Sequence, residues 1–198
     1  MTIRKLSTLG AATLALSLGA CGINSVPTAE EAVNAAWGNV EAEYQRRNDL
    51  IGNLVETVKA AAGSEEEILT QITEARASAT SANLSAEQLD DPAAVRAYSE
   101  AQAQLSGARS LLGTVVMERY PELQSQGRFA DLMVQLEGTE NSILVARRDY
   151  NEAVQEYNTT IRTFPDAIGA KIIHGAEPKV PFESAPGADQ PVTVDFDS

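Results

Sequence analysis

Apolar residues recur along most of this chain at alternating steps of three and four. In the first such stretch Val33, Trp37, Val40, Tyr44, Ile51, Leu54 and Val58 follow that rhythm, with one polar position, Arg47, on the same line. A middle stretch carries Val95, Tyr98, Leu105, Leu112 and Val115. A third carries Phe129, Leu132, Leu136, Ile143, Tyr150, Val154, Tyr157, Ile161 and Phe164. Steps of three and four gather apolar side chains on one helix face, so the pattern predicts amphipathic helices. No alternating β-branched run that would mark a strand occurs before residue 192.

Proline placement divides the same pattern. Positions 28–91, 93–120 and 122–164 contain no proline, and Pro27, Pro92, Pro121 and Pro165 stand at their edges. Proline breaks helix interiors and suits first turns, so three helical segments are implied. The expected fold class is all-α: an antiparallel bundle of three long helices over residues 30–165, with coiled-coil-like, near-parallel packing along the seams. Gly63, followed by the capping-box pair Ser64 and Glu67, predicts a kink or restart within the first segment. The seam resumes in phase at Leu69 and Ile72, which favours one continuous rod. Periodicity ends near Asp166, so residues 166–198 read as an irregular tail, disordered from Ser184 onward.

The N-terminus follows a different pattern. Arg4 and Lys5 precede an uncharged run from Leu6 to Leu18, and Leu18-Gly19-Ala20-Cys21 closes it. A basic start, a short apolar run and small residues before a cysteine describe a lipoprotein signal peptide over residues 1–20. The run is short for a membrane span, which needs roughly 20 apolar residues. Cys21 is then the lipid-attachment (palmitate-bearing) site, and residues 21–29 form a lipidated tether. Gly22 is not the aspartate that commonly holds lipoproteins in an inner membrane, so the outer membrane is favoured where the envelope has two. As the sole cysteine, Cys21 leaves no disulfide to brace the fold.

Charge narrows the partners. The chain has a formal net charge of −13, and loss of Arg4 and Lys5 with the signal takes it to −15 over 178 residues. So acidic a chain repels nucleic acid and anionic headgroups, which excludes a nucleic-acid role and assigns membrane attachment to the lipid.

Chemistry-bearing residues are few. His174 is the one histidine, and with one cysteine it cannot complete a common zinc site. No glycine-rich phosphate loop or nucleophile elbow occurs. The Glu65-Glu66-Glu67 run reads as a solvated first turn favoured by the helix dipole. Metal, cofactor and catalytic residues are therefore expected to be none. The five tyrosines, Tyr44, Tyr98, Tyr120, Tyr150 and Tyr157, lie at helical spacing and read as core residues with edge hydroxyls. Arg46-Arg47 and Arg147-Arg148 are more distinctive, since one member of each pair falls on a seam. A buried arginine needs a carboxylate partner. If helices one and three run parallel and the second returns by its full length, Arg147 comes level with Glu65, and a structural Glu65–Arg147 ion pair is expected.

Several blocks resemble the LemA family. In the first segment these are Ala36-Trp37, Arg46-Arg47, Asp49-Leu50-Ile51, Asn53-Leu54-Val55, Val58-Lys59, Glu65 and Ala75-Arg76. Tyr120-Pro121, Leu123, Phe129 and Leu132 continue the likeness. Leu136-Glu137-Gly138-Thr139-Glu140-Asn141, Ile143, Ala146-Arg147-Arg148, Tyr150-Asn151, Ala153-Val154, Tyr157-Asn158 and Phe164-Pro165 are its strongest part. Together they cover about residues 30–183. The resemblance implies a helical domain held at a membrane, facing away from the cytoplasm, with no catalytic residues. One branch of the family is tied to magnetosome membrane formation, and members often occur beside membrane proteases. The chain departs from the family pattern at Gly52, where proline is usual, at Ala61 and Ser64, where tyrosine and histidine are usual, and in its lipid in place of a membrane helix.

The function expected is a non-enzymatic scaffold that binds an envelope protein partner or organises membrane. The alternative is an accessory subunit of an envelope membrane protease. Homo-oligomerisation is left open by the sequence.

Overall fold

The computed structural model describes residues 2–62, 66–124 and 127–183, with side chains at 24–60, 67–121, 123 and 127–183. Helix α1 spans Thr2–Ala62, α2 Glu66–Ser81, α3 Pro92–Arg119, α4 Pro121–Gln124, α5 Gly127–Thr160 and α6 Asp166–Gly169, the last running into a π turn at Ala170–His174. No strand occurs among the described residues. The chain is all-α, as its periodicity predicts.

Residue pairs across the helices fix their directions. Trp37 meets Tyr150 and Arg47 meets Glu140, ten residues up α1 for ten down α5, so these helices are antiparallel. Arg76 Nε on α2 donates to the Asn48 carbonyl of α1 at 3.0 Å, and Gln102 Nε2 on α3 donates to the Ala79 carbonyl of α2 at 3.2 Å. The three long helices expected are α1, α3 and α5, and α2 folds back on α1 to make the arrangement up-down-up-down.

The continuous first rod is thus corrected. Periodicity records which face of a helix is apolar, and a helix that reverses keeps the same period, so Leu69 and Ile72 bury equally well after a turn. Residues 63–65 themselves lie outside the described structure. The parallel register assumed for helices one and three is corrected as well. The observed antiparallel register places Arg147 level with Val40.

Caps follow the sequence more directly. Asp91 caps α3 by accepting from the Ala93 amide at 2.8 Å, with Pro92 in the first helical position. Ser85 opens a short 3₁₀ turn at Ala86–Gln88 with a reciprocal capping box to Gln88. Pro27 differs: it stands inside α1 and not at its start. Val26 beside it is already buried, so the bundle begins within the stretch read as a tether.

The core has two halves. Near the N-terminal end of the described side chains, Val26, Val33, Trp37, Val40 and Tyr44 pack against Leu84, Leu89, Tyr98, Tyr150, Val154, Tyr157 and Phe182. In the other half Ile51, Leu54 and Val58 meet Leu69, Ile72, Leu105, Leu112, Val116, Leu123 and Leu136. Val116, not Val115, is the fully buried member of the second seam. The third seam stops at Ile161, because α5 ends at Thr160; Phe164 beyond it is 74 % exposed.

Between the halves sits one polar layer centred on Arg47, which is 2 % exposed. Its Nη1 donates to Ser106 Oγ and its Nη2 to Gln102 Oε1, both at 2.6 Å, with the Gln102 carbonyl at 3.2 Å. Glu140 Oε1 lies 3.6 Å from Nη1 and 3.9 Å from Arg109 Nε. Tyr44 offers its ring face 4.9 Å from the guanidinium carbon. Burial pulls the Arg47 pKa below its usual range, and Glu140 opposes that. Through Gln102 and the Ala79 carbonyl, a single charge connects α1, α2, α3 and α5.

Removing that charge leaves Gln102 and Ser106 without their donor and Glu140 without its nearer cation. Arg47→Ala is expected to lower the unfolding free energy in urea by about 3 kcal/mol. Arg47→Lys is expected to restore only a minor part of it, since a point ammonium cannot serve these acceptors with the planar fork of a guanidinium.

Candidate functional site: the strapped end of the bundle

Helix α2 stops at Ser81 and α3 starts at Pro92, so neither covers the end of the bundle where α1 emerges. The chain fills that gap with its own C-terminal segment. Residues 166–174, read from the sequence as irregular, are helical in α6 and the π turn, which corrects that reading; residues 176–183 have the irregular backbone the sequence predicts and are packed. Residues 184–198 lie outside the described structure.

The strap is held mainly through its backbone. Asn158 accepts from the Lys179 amide at 2.9 Å and donates to the Lys179 carbonyl at 2.8 Å. Asn151 does the same for Phe182, at 2.8 Å from its amide and 2.9 Å to its carbonyl. Seven helical residues rise about 10.5 Å, and three extended residues span about 10 Å. The heptad spacing of the two asparagines therefore matches a three-residue step along the strap. Val180 N donates to the Leu89 carbonyl at 2.8 Å, and Tyr150 OH to the Val180 carbonyl at 3.0 Å. Lys179, itself buried, reaches Glu30 of α1 at 3.5 Å.

Phe182 completes an aromatic cluster. It stacks on Trp37 with centroids 6.0 Å apart and meets Tyr150 at 5.3 Å, while Tyr98 meets Trp37 edge-on at 5.3 Å. Such pairs stabilise beyond their burial alone. Desolvation raises the phenol pKa values of Tyr44, Tyr98 and Tyr150, and pushes that of Tyr157 up to about 12. These tyrosines are protonated donors at neutral pH and supply no base.

The same end receives the N-terminal segment. Ser25 Oγ donates to Asp166 Oδ1 at 2.6 Å, and Val26 belongs to the aromatic half of the core. A helical cap, Asp166–Gly169 with the π turn, lies across α1 and ends at Gly175. Gly175 has φ +56°, a left-handed turn that glycine adopts without strain, and it lets the Ala176 amide donate to the Ala170 carbonyl at 3.0 Å.

Of the residues singled out in the sequence, Cys21 lies in α1, where side chains fall outside the described structure, and Glu65 lies outside it altogether. Arg147 has other partners: Nη2 donates to the Glu183 carbonyl at 2.8 Å, and the guanidinium carbon lies 4.9 Å from the Phe182 ring centre. His174 is exposed in the π turn. Among the described residues no three His, Cys, Asp or Glu side chains form a group able to hold a metal ion. Nor is any helix among them long and apolar enough to cross a membrane. Sequence reading missed the two strap-binding asparagines. Their signal was the Tyr-Asn dyad repeated seven residues apart, at Tyr150-Asn151 and Tyr157-Asn158.

The family profile described as LemA family matches residues 36–196. Among curated proteins, Magnetosome protein MamQ 2 and MamQ 1 of Paramagnetospirillum magneticum are each 28 % identical over 187 residues, covering 85 % of this chain and 67 % of their own length. Magnetosome protein MamQ of Magnetospirillum gryphiswaldense is 28 % identical over 185 residues, with the same coverage.

Two outcomes follow from the strap. Asn151→Ala with Asn158→Ala removes its four side-chain hydrogen bonds, so amide hydrogen exchange at Lys179 and Phe182 should accelerate at least tenfold while α3 keeps its protection. The raised phenols give a pH signature. An unfolded tyrosine ionises near pH 10 and Tyr157 in the fold at about 12. Their stabilisation is thus fully present below about pH 10 and is lost as pH rises through about 12. Phenolate absorbance and helix content, followed together, should stay flat from neutral pH to about 10 and then change as one.

Proposed function

This chain belongs to the LemA family, and on that footing we propose that it is a non-enzymatic, lipid-anchored scaffold of the cell envelope, which holds a rigid helical bundle at a membrane surface for a protein partner or for organising the membrane itself. Residues 1–20 direct export, and Cys21 carries the lipid. The supporting observation is the contact of Ser25 with Asp166 and the burial of Val26. Only three residues separate the proposed attachment point from a side chain fastened to Asp166. A lipid on Cys21 would therefore hold the bundle close to the bilayer, without a long flexible leash. Two or more acyl chains make such attachment effectively permanent. The magnetosome relatives fit a role in a specialised membrane compartment. The buried ionisable groups fit a structural role: Arg47 is committed to the interhelical layer and the tyrosines stay protonated.

Substituting Cys21→Ser in cells tests the reading. The wild type is expected in the membrane fraction at the mass of an acylated chain beginning at Cys21. The variant should keep residues 1–20 or leave the membrane. Identical mass and identical membrane recovery for both would end the lipoprotein reading. In a two-membrane envelope, Gly22 leads us to expect recovery with outer membranes on a density gradient, and recovery with inner membranes alone would overturn that expectation.

A further inference from the structure

Four of the nine large exposed apolar residues among the described residues lie on the short stretch that receives the N-terminal segment. Phe164 is 74 % exposed, Ile168 54 %, Ile172 78 % and Ile173 57 %. They stand on one short stretch around α6 and the π turn, and together form a patch, in contrast to the scattered single apolar residues that any surface shows. Charge sets the stretch apart as well. In a chain of net charge −13, positions 157–176 contain one carboxylate, Asp166, which accepts from Ser25, alongside Arg162 and Lys171.

Chain length decides what lies against this patch. Residue 21 can be no farther than about 14 Å from residue 25, even fully extended. Ser25 is bonded to Asp166 at the start of α6. Any membrane attachment at Cys21 therefore draws the bilayer to within a few side-chain lengths of Ile168 and Ile172. From this end α5 leads away at about 1.5 Å per residue, so when the bundle stands on this end most of it is held clear of the surface.

We propose that Phe164, Ile168, Ile172 and Ile173 form a membrane-insertion tip, which enters the interface of the same leaflet that holds the Cys21 lipid and stands the bundle upright on it. The inference rests on the lipid-anchor reading and adds to it a second, protein-borne contact. The acyl chains hold the molecule to the membrane. The tip sets its orientation, because a tether alone leaves the bundle free to lie on its side. Lys171 and Arg162 flank the apolar residues at headgroup level, where basic side chains are favoured.

Depth-dependent fluorescence tests this with the full-length acylated chain in vesicles of phosphatidylethanolamine and phosphatidylglycerol. The reporters are Ile172→Trp at the tip and Leu144→Trp on α5. Leu144 is 64 % exposed and about 24 Å down the helix from Thr160. The wild type, with Trp37 buried in the core, gives the background. With lipids brominated near the top of the acyl chain, Ile172→Trp emission is expected to shift to the blue and lose roughly half its intensity, while Leu144→Trp matches the wild type. Equal quenching at the two positions in a chain that floats with the vesicles would overturn the tip and leave the anchor standing. Failure of the wild-type chain to float at all would remove both. Absence of quenching together with a crosslinked dimer lost on Ile172→Ser would assign the patch to a second copy of the chain, and would also overturn the proposal.

Discussion

The buried guanidinium of Arg47 is the constraint around which the helices are arranged. An arginine taken out of water is tolerable only where most of its polar atoms are met. Nη1 and Nη2 find acceptors on α3 and α5 and the Tyr44 ring faces the guanidinium, while Nε is left without a hydrogen-bond partner. Ser106 and Gln102 fix α3, Glu140 fixes α5, and the Gln102 amide carries the link to α2. Sliding α1 by one heptad would move the charge about 10.5 Å, out of this layer and into purely apolar surroundings, at a cost of several kcal/mol. Apolar seams alone are indifferent to such a slip, since each heptad resembles the next. The polar layer supplies the register that the seams lack.

With the register set, the unequal helix lengths leave one end of α1 and α5 uncovered, and the strap follows from that. An extended segment can lie against a helix only if its amides and carbonyls find partners. Asn151 and Asn158 provide them, because a primary amide sets an N–H donor and a carbonyl acceptor side by side at almost the spacing of a strand edge. Phe182 then closes the ring of Trp37, Tyr98 and Tyr150. Lys179 and Glu30 tie the strap to α1 as well as to α5.

The helices were legible because their apolar period is a local property; the caps at Asp91 and Ser85 went unread, although each is set by residues within three positions. Arg47 was visible as the polar residue on an apolar line, though its partners were not, since these lie 55 to 93 residues away along the chain. Direction was illegible. The in-phase seam at Leu69 and Ile72 concealed a reversal, and the parallel register drawn from it sent Arg147 toward the wrong end of α1. The strap was hidden for a different reason: backbone-mediated packing leaves no hydrophobic period, and a stretch with Pro178 and Pro181 reads as tail. Phe164 fitted the seam by number and was exposed in fact, because the helix that would have turned it inward ends four residues earlier.

The bond between Ser25 and Asp166 joins residues 141 positions apart, and this has a bearing on how the molecule comes into being. Half of the core is built by α1 with α5 and the strap, so it cannot close until synthesis has passed Phe182. Until then the apolar line from Val26 to Tyr44 has no lasting cover. Contacts of such long sequence separation delay folding. A chain built this way remains pliable while residues 26–44 wait for α5 and the strap, and it commits to its shape late.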